Sequence, residues 1–321
     1  MTDSWERARR VLGAAGVPPG DLVRVRPLGG GTYNLVEELT LADGTRHVLK
    51  TAPRAPGLSH ERQLLVSEAD FYGAAAKAGV AAPRVVVLDG DTLLMTRCPG
   101  EPWDDTLTDP DITLLRTELG RVLARLHGIT GPGFGYPSGA LGPLVPDWRT
   151  AFTTLYAAVL DDARRYDAWL PLPAADIART ARSAHAALDE VTVPCAVHFD
   201  LWRGNILVDR TGGTPRIGGL VDGERMFWGD PLADFVSLAL LGDIRNDEAF
   251  LAGYREAGGR ARFDRSDRLR YALYRSYLYL IMLVEAVPRE FGEEENRWRR
   301  EKVGPELIAA LGEIDETAST T

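Results

Sequence analysis

The run His198-Phe-Asp200-Leu-Trp-Arg-Gly-Asn205 is followed by the apolar stretch ILVD and, further on, by Val221-Asp222-Gly-Glu224. Phosphoryl transfer to a hydroxyl requires a carboxylate that orients the hydroxyl and takes its proton, and oxygen donors that hold a divalent cation on the phosphates. Asp200 and Asn205 on one loop, with Asp222 at the end of a later strand, supply that set. Separately they read as a turn former, a cap and an exposed strand end; their order, spacing and strand context together point to chemistry. A second constellation is Leu28-Gly-Gly-Gly-Thr-Tyr-Asn34, between two strand-like runs. Its glycines let the backbone approach a ligand, and unpaired N–H groups at a hairpin rim suit phosphate. It lacks the GxxxxGK[ST] spacing and no helix opens after it, so alone it is either a loop over a ligand or only a turn. The third is Lys50 beside Val48 and Leu49, with Glu68 on the apolar side of the next helix. A half-buried ammonium needs an anionic partner, and the pair reads either as a phosphate-binding device or as a plain strand–helix ion pair.

These residues need elements to carry them. Residues 21–52 read as a three-stranded meander with turn signals at 29–31 and 42–44. Residues 60–78 show helical spacing of Leu64, Leu65, Glu68, Phe71 and Tyr72, and two short strands follow before Pro99-Gly100 breaks the run. Beyond it the pattern is helical over 112–129, 148–169, 174–191, 231–241, 264–287 and 294–311, interrupted by short apolar runs over 193–221. The Gly/Pro-rich stretch 131–146 reads as a surface loop. The expected fold class is α+β in two lobes. Residues 1–98 form a small β-rich nucleotide-binding lobe with one main helix, 99–312 a larger, mostly helical catalytic and acceptor-binding lobe, and 313–321 a frayed tail.

Composition sets bounds on function. The chain has 321 residues, 45% hydrophobic and 26% charged, with 37 basic and 46 acidic residues for a formal charge of −9. That is ordinary globular composition, and the acidic balance argues against nucleic acid or anionic membrane as partners. No obligate protein partner is evident. Only Lys50, Lys77 and Lys302 are lysine, which draws attention to Lys50. Cys98 and Cys195 form no CxxC pair, the N-terminus lacks the apolar stretch of a signal peptide, and the apolar run 278–284 is too short to span a membrane. A reducing cytoplasm is the expected location. The absence of GxSxG and HExxH weakens a hydrolase reading.

The strings VHFDLWRGNILVD and GLVDGERMFWGDPLADF, with the upstream Gly-rich loop, strand lysine and helix glutamate, resemble the aminoglycoside phosphotransferase family, itself similar to choline kinases, fructosamine kinases and eukaryotic-type protein kinases. The resemblance runs from Pro27 to Phe235. It implies a protein-kinase-like fold and an ATP-dependent O-phosphotransferase, with GTP possible and Mg²⁺ required, acting on a small hydroxylated molecule. That acceptor would be an aminoglycoside-type or other antibiotic; the alternatives are a metabolic choline-, fructosamine- or sugar-like alcohol, or a catalytically silent nucleotide-binding regulator. Asp200 would be the base, and Asn205 and Asp222 the metal ligands. Gly30, Gly31 and Thr32 would cover the phosphates, braced by Asn34, and Lys50, positioned by Glu68, would contact them. Met95, Thr96, Arg97 and Cys98 would form the adenine-reading hinge, while His198 and Asp234 would anchor the catalytic loop. Glu224 would sit either at the metal or in the fold, and His127 reads as packed. Two departures stand out: Phe199 replaces a usual glycine, which would narrow the space beside the base, and Gly223 replaces a usual large aromatic, which would either widen the adjoining pocket or leave the loop more mobile. Glu285, Glu290, Glu293, Glu294 and Glu295 could serve a cationic acceptor or be a solvated helix start, and Trp148, Trp169, Trp202, Trp228 and Phe227 could wall an apolar pocket or be core.

Overall fold

A computed structural model describes residues 2–29, 33–53 and 57–320. The first strands are β1 (Leu22–Pro27), β2 (Leu35–Leu41), β3 (Arg46–Thr51), β4 (Val85–Asp89) and β5 (Thr92–Thr96), which form one antiparallel sheet in the order β1-β2-β3-β5-β4. Alternation along the strands gives this sheet two covered faces. Leu39, Leu49 and Leu94 point to the face covered by α1 (Thr2–Ala14) through Ala8, Val11 and Leu12. Leu93, Met95 and Lys50 belong to the opposite face, where α2 (Leu64–Lys77) packs. Helix α1 has no counterpart in the sequence reading above, although Ala8, Val11 and Leu12 recur at helical spacing.

The second lobe begins with β6 (Glu101–Pro102), paired to β8 (Ile206–Asp209) and through it to β9 (Arg216–Leu220); β7 (Cys195–Val197) pairs with β10 (Phe227–Gly229). Its helices are α3 (Asp109–Leu126), α4 (Trp148–Arg165), α5 (Ala174–Ser183), α6 (Asp234–Leu238), α7 (Glu248–Glu256), α8 (Arg265–Val284), α9 (Glu293–Trp298) and α10 (Gly304–Ser319). Helix α8 is buried on nearly all sides and forms the spine of the lobe. No helix among the described residues is long and apolar enough to cross a membrane.

Two expectations are corrected here. Residues 313–319 are not frayed but continue α10: Leu307, Leu311 and Ile314 bury one stripe, and Glu313 meets Arg245 at 2.6 Å and Arg275 at 3.3 Å. The 131–146 stretch is not wholly superficial. Phe134 and Tyr136 are buried, and Phe134 and Gly135 bridge to Val145 and Trp228.

Candidate active site

The catalytic-loop candidates are held by a dense set of hydrogen bonds. Asp234, fully buried at the start of α6, accepts from the backbone N–H groups of His198 (3.1 Å) and Phe199 (2.7 Å) and from His127 Nε2 (2.9 Å), while Ser237 Oγ accepts from Leu201 N–H (2.9 Å). The Asp200 N–H donates to His198 Nδ1 (3.2 Å), so the other ring nitrogen carries the proton that bonds the Val221 carbonyl at 2.9 Å. His198 thus ties the loop that carries Asp200 to the segment that leaves β9 just before Asp222. Asn205 Nδ2 donates to the Asp200 carbonyl (2.8 Å) and to its Oδ2 (3.1 Å), which leaves the amide oxygen outside these bonds. Burial pushes the Asp200 carboxyl above the usual aspartate value, and nearby Arg225 opposes the shift.

Lys50 is the centre of the second group. Its ammonium reaches Glu68 Oε2 at 2.8 Å, Glu224 Oε2 at 2.6 Å and Asp222 Oδ1, and the side chain is 4% exposed. Burial alone would lower the lysine, but Asp222, Glu224 and Glu68 outweigh it and hold the group well above its ordinary value. Asp222 is pulled down because Lys50 overrides its burial. Glu224 is pushed up by burial and by its carboxylate neighbours. Asn34 Nδ2 donates to Glu224 at 2.6 Å, which brings the residue before β2 into the same cluster. Asp222 takes a left-handed backbone conformation, φ +62°, tolerable for a short polar side chain. Carboxylate oxygens of Glu68, Asp222 and Glu224 lie within 4.8 Å of one another, an all-oxygen donor set of the kind a hard divalent cation takes.

The structure therefore brings Asn34, Lys50, Glu68, His198, Asp200, Asn205, Asp222, Glu224 and Asp234 into one assembly. Gly30, Gly31 and Thr32 lie outside the described residues. Met95 and Thr96 end β5, and Arg97 and Cys98 begin the crossover to the second lobe. Cys98 packs on Gly219, and Arg97 Nε turns to Glu38 at 2.8 Å.

Both departures resolve differently from expectation. Phe199 does occupy a position suited to glycine, with φ +63°, but its ring lies in the core between Phe227 (5.1 Å) and Tyr277 (5.5 Å) and does not narrow the space beside Asp200. Gly223 opens no pocket, because Phe71 fills that space from α2: a Cβ at 223 would lie 2.3 Å from the Phe71 ring. Trp148, Trp228 and Phe227 are core, Trp202 is exposed, and Trp169 lines a cavity of about 340 Å³ with Phe291 and Arg299.

Several participants carried no sequence signal strong enough to single them out. Tyr72 donates to Glu68 Oε1 at 2.6 Å and accepts from Asp222 N–H at 3.2 Å; its position four residues after Glu68 on one helix was the available clue. Arg225, Glu285, Arg289 and Glu61 form a buried chain. Arg225 meets Glu285 at 2.6 Å, Glu285 meets Arg289 at 3.2 Å, and Arg289 meets Glu61 at 2.5 Å.

The fold and this assembly define a small-molecule kinase, and the sequence comparison names the class: residues 24–274 match the phosphotransferase enzyme family, APH, and the chain belongs to it. A protein from Lactiplantibacillus plantarum named "Probable ketoamine kinase" is 27% identical over 300 residues, covering 88% of this chain and 95% of that protein. Viomycin phosphotransferase of Streptomyces vinaceus is 29% identical over 152 residues, 46% of this chain and 48% of its own. Among solved structures, a "putative fructosamine-3-kinase" from Thermobifida fusca superposes with a TM-score of 0.68 at 23% identity, covering 96% of this chain and 99% of its own. A macrolide 2'-phosphotransferase from Brachybacterium faecium gives 0.57 at 18%, covering 98% of each chain. These structures share the two-lobed kinase-like fold.

Proposed function

We propose that the chain transfers the γ-phosphoryl group of ATP to a hydroxyl of a small molecule. The observation that carries this reading is the convergence of two separately built groups: a lysine gathering three carboxylates, and a rigid loop presenting Asp200 beside them. Asp200 orients the acceptor hydroxyl and takes its proton as the oxygen bonds phosphorus and ADP leaves. The raised Asp200 carboxyl suits a group that must accept a proton. Lys50, positioned by Glu68, exchanges carboxylate for phosphate oxygens when nucleotide binds, and His198 and Asp234 keep the loop in place. Mg²⁺ would be held by Asp222 and the Asn205 amide oxygen, and supplies neutralisation of phosphate charge when bound. Met95 to Cys98 offer the adenine edge a backbone at the lobe junction, and the two unpaired cysteines accord with a cytoplasmic location.

A ketoamine-like or other uncharged-to-zwitterionic alcohol is the favoured acceptor. The sequence offered Glu285 to a polycationic antibiotic, yet Glu285 is buried against Arg225 and Arg289, and Glu293, Glu294 and Glu295 are exposed at the start of α9. A polycation would have to displace arginines to find carboxylates there. The likeness, over 88% of this chain, to a protein named as a ketoamine kinase supports the same choice. Phosphorus NMR of reactions with ATP, Mg²⁺ and separate panels of glycated amines, amino alcohols, aminoglycosides and macrolides tests it. A phosphate ester on a glycated amine is expected, and ATP consumption with aminoglycosides alone would contradict it.

A further inference from the structure

Adjacent residues Tyr33 and Asn34, which lead into β2, are each tied to the second lobe by a different route. Asn34 donates to Glu224. Tyr33 lies with its ring under the Arg289 guanidinium, 4.4 Å from the ring centre, and its hydroxyl end rests on Gly57, where a Cβ would lie 2.2 Å from the phenol oxygen. The Arg289 side chain is 8% exposed and fixed on both sides, by Glu61 at 2.5 Å and Glu285 at 3.2 Å. Glu285 in turn holds Arg225 at 2.6 Å, and Arg225 is the neighbour in sequence of Glu224. The contacts therefore close a ring: Asn34–Glu224, the bond to Arg225, then Glu285, Arg289 and Tyr33, and the bond back to Asn34. The first segment of the ring shares Glu224 with Lys50. Lifting this part of the hairpin away from the cleft breaks the amide–carboxylate bond and the ring–guanidinium contact together.

We propose that Tyr33 and Arg289 are positioning residues that hold the start of β2 down over the phosphate side of the nucleotide site, a role that rests on the phosphotransferase reading above. Neither touches the reacting atoms; they act by pre-organising Asn34 and the backbone beside it, so that a triphosphate need not order this segment on binding. The aromatic ring, not the hydroxyl, makes the contact with Arg289, since an aromatic face attracts a guanidinium whether or not it carries a phenol oxygen.

Calorimetric titration of the 321-residue chain with Mg²⁺-ATP, and with adenosine by competition, tests this in the wild type, Tyr33→Phe and Tyr33→Ala. Tyr33→Ala is expected to weaken Mg²⁺-ATP about three- to thirtyfold, the range of a partly to fully desolvated cation–π contact, while adenosine, which has no phosphates, stays within about twofold of the wild type. Tyr33→Phe is expected to bind both as the wild type does. Unchanged ATP affinity in Tyr33→Ala, equal losses for ATP and adenosine, or a Tyr33→Phe variant as weak as Tyr33→Ala would each overturn the proposal. A wild-type protein that binds neither compound would overturn the phosphotransferase reading itself, an outcome separable from the other three.

Discussion

Replacing Phe199 sets two measurable terms against each other. The side chain is fully buried among Phe227 and Tyr277, and truncating such a ring costs about 3–5 kcal/mol. The backbone, however, sits at φ +63°, where any residue with a Cβ is strained and glycine is not, and the Phe199 N–H is pinned there by Asp234 at 2.7 Å. Both Phe199→Ala and Phe199→Gly lose the ring, but only glycine is relieved of the strain. In an ordinary buried segment glycine would be the less stable of the two by about 0.5–1 kcal/mol. Here the order inverts, with Phe199→Gly more stable than Phe199→Ala by about 1 kcal/mol and both about 2–5 kcal/mol below the wild type. Urea unfolding of the three proteins, compared through their midpoints at matched slopes, measures this. An alanine variant as stable as the glycine variant would refute the argument from backbone conformation.

Three further outcomes follow from the buried charges. Lys50→Met leaves Glu68, Asp222 and Glu224 crowded without their cation and should cost about 3–5 kcal/mol at neutral pH, a deficit that shrinks on acidification as the carboxylates protonate; thermal denaturation across pH would show it. His60 is buried with both ring nitrogens unpartnered, and its value is pushed down to about 4, first by burial, while the unfolded chain titrates near 6.5. The unfolded state therefore binds the extra proton, and stability should fall by up to about 3 kcal/mol as pH drops from about 6.5 to 4, a slope that His60→Phe removes. Because burial raises the Asp200 carboxyl, the acid limb of kcat/KM should lie above the ordinary aspartate range, which a pH–rate profile reads directly.

Much of the site was legible because its chemistry is local in sequence. The spacing of Asp200, Asn205 and Asp222 places them on one loop and just beyond one strand, and the alternation around Lys50 fixes the face of β3 it occupies. What was not legible depends on contacts between distant segments. Phe199 looked like an obstruction beside Asp200 because sequence does not show which way a left-handed residue turns its side chain; the aromatic cluster on α8 and β10 decides that. Gly223 looked like a wider pocket because Phe71, on α2, fills it from the other lobe. The arginines that neutralise Glu285 come from positions 225 and 289, so its acidity could not be judged from its own neighbours in the chain. Residues 313–319 read as a tail by composition, although Ile314 and Glu313 continue the buried stripe and the ion pairs of α10.

The central claim is that Asp200 accepts the proton of a small-molecule hydroxyl. Steady-state transfer from ATP by Asp200→Asn, with nucleotide affinity measured in parallel, tests it most directly. Turnover should fall by about 10²–10⁴ while ATP binding stays near that of the wild type. Turnover close to the wild-type rate would contradict the account.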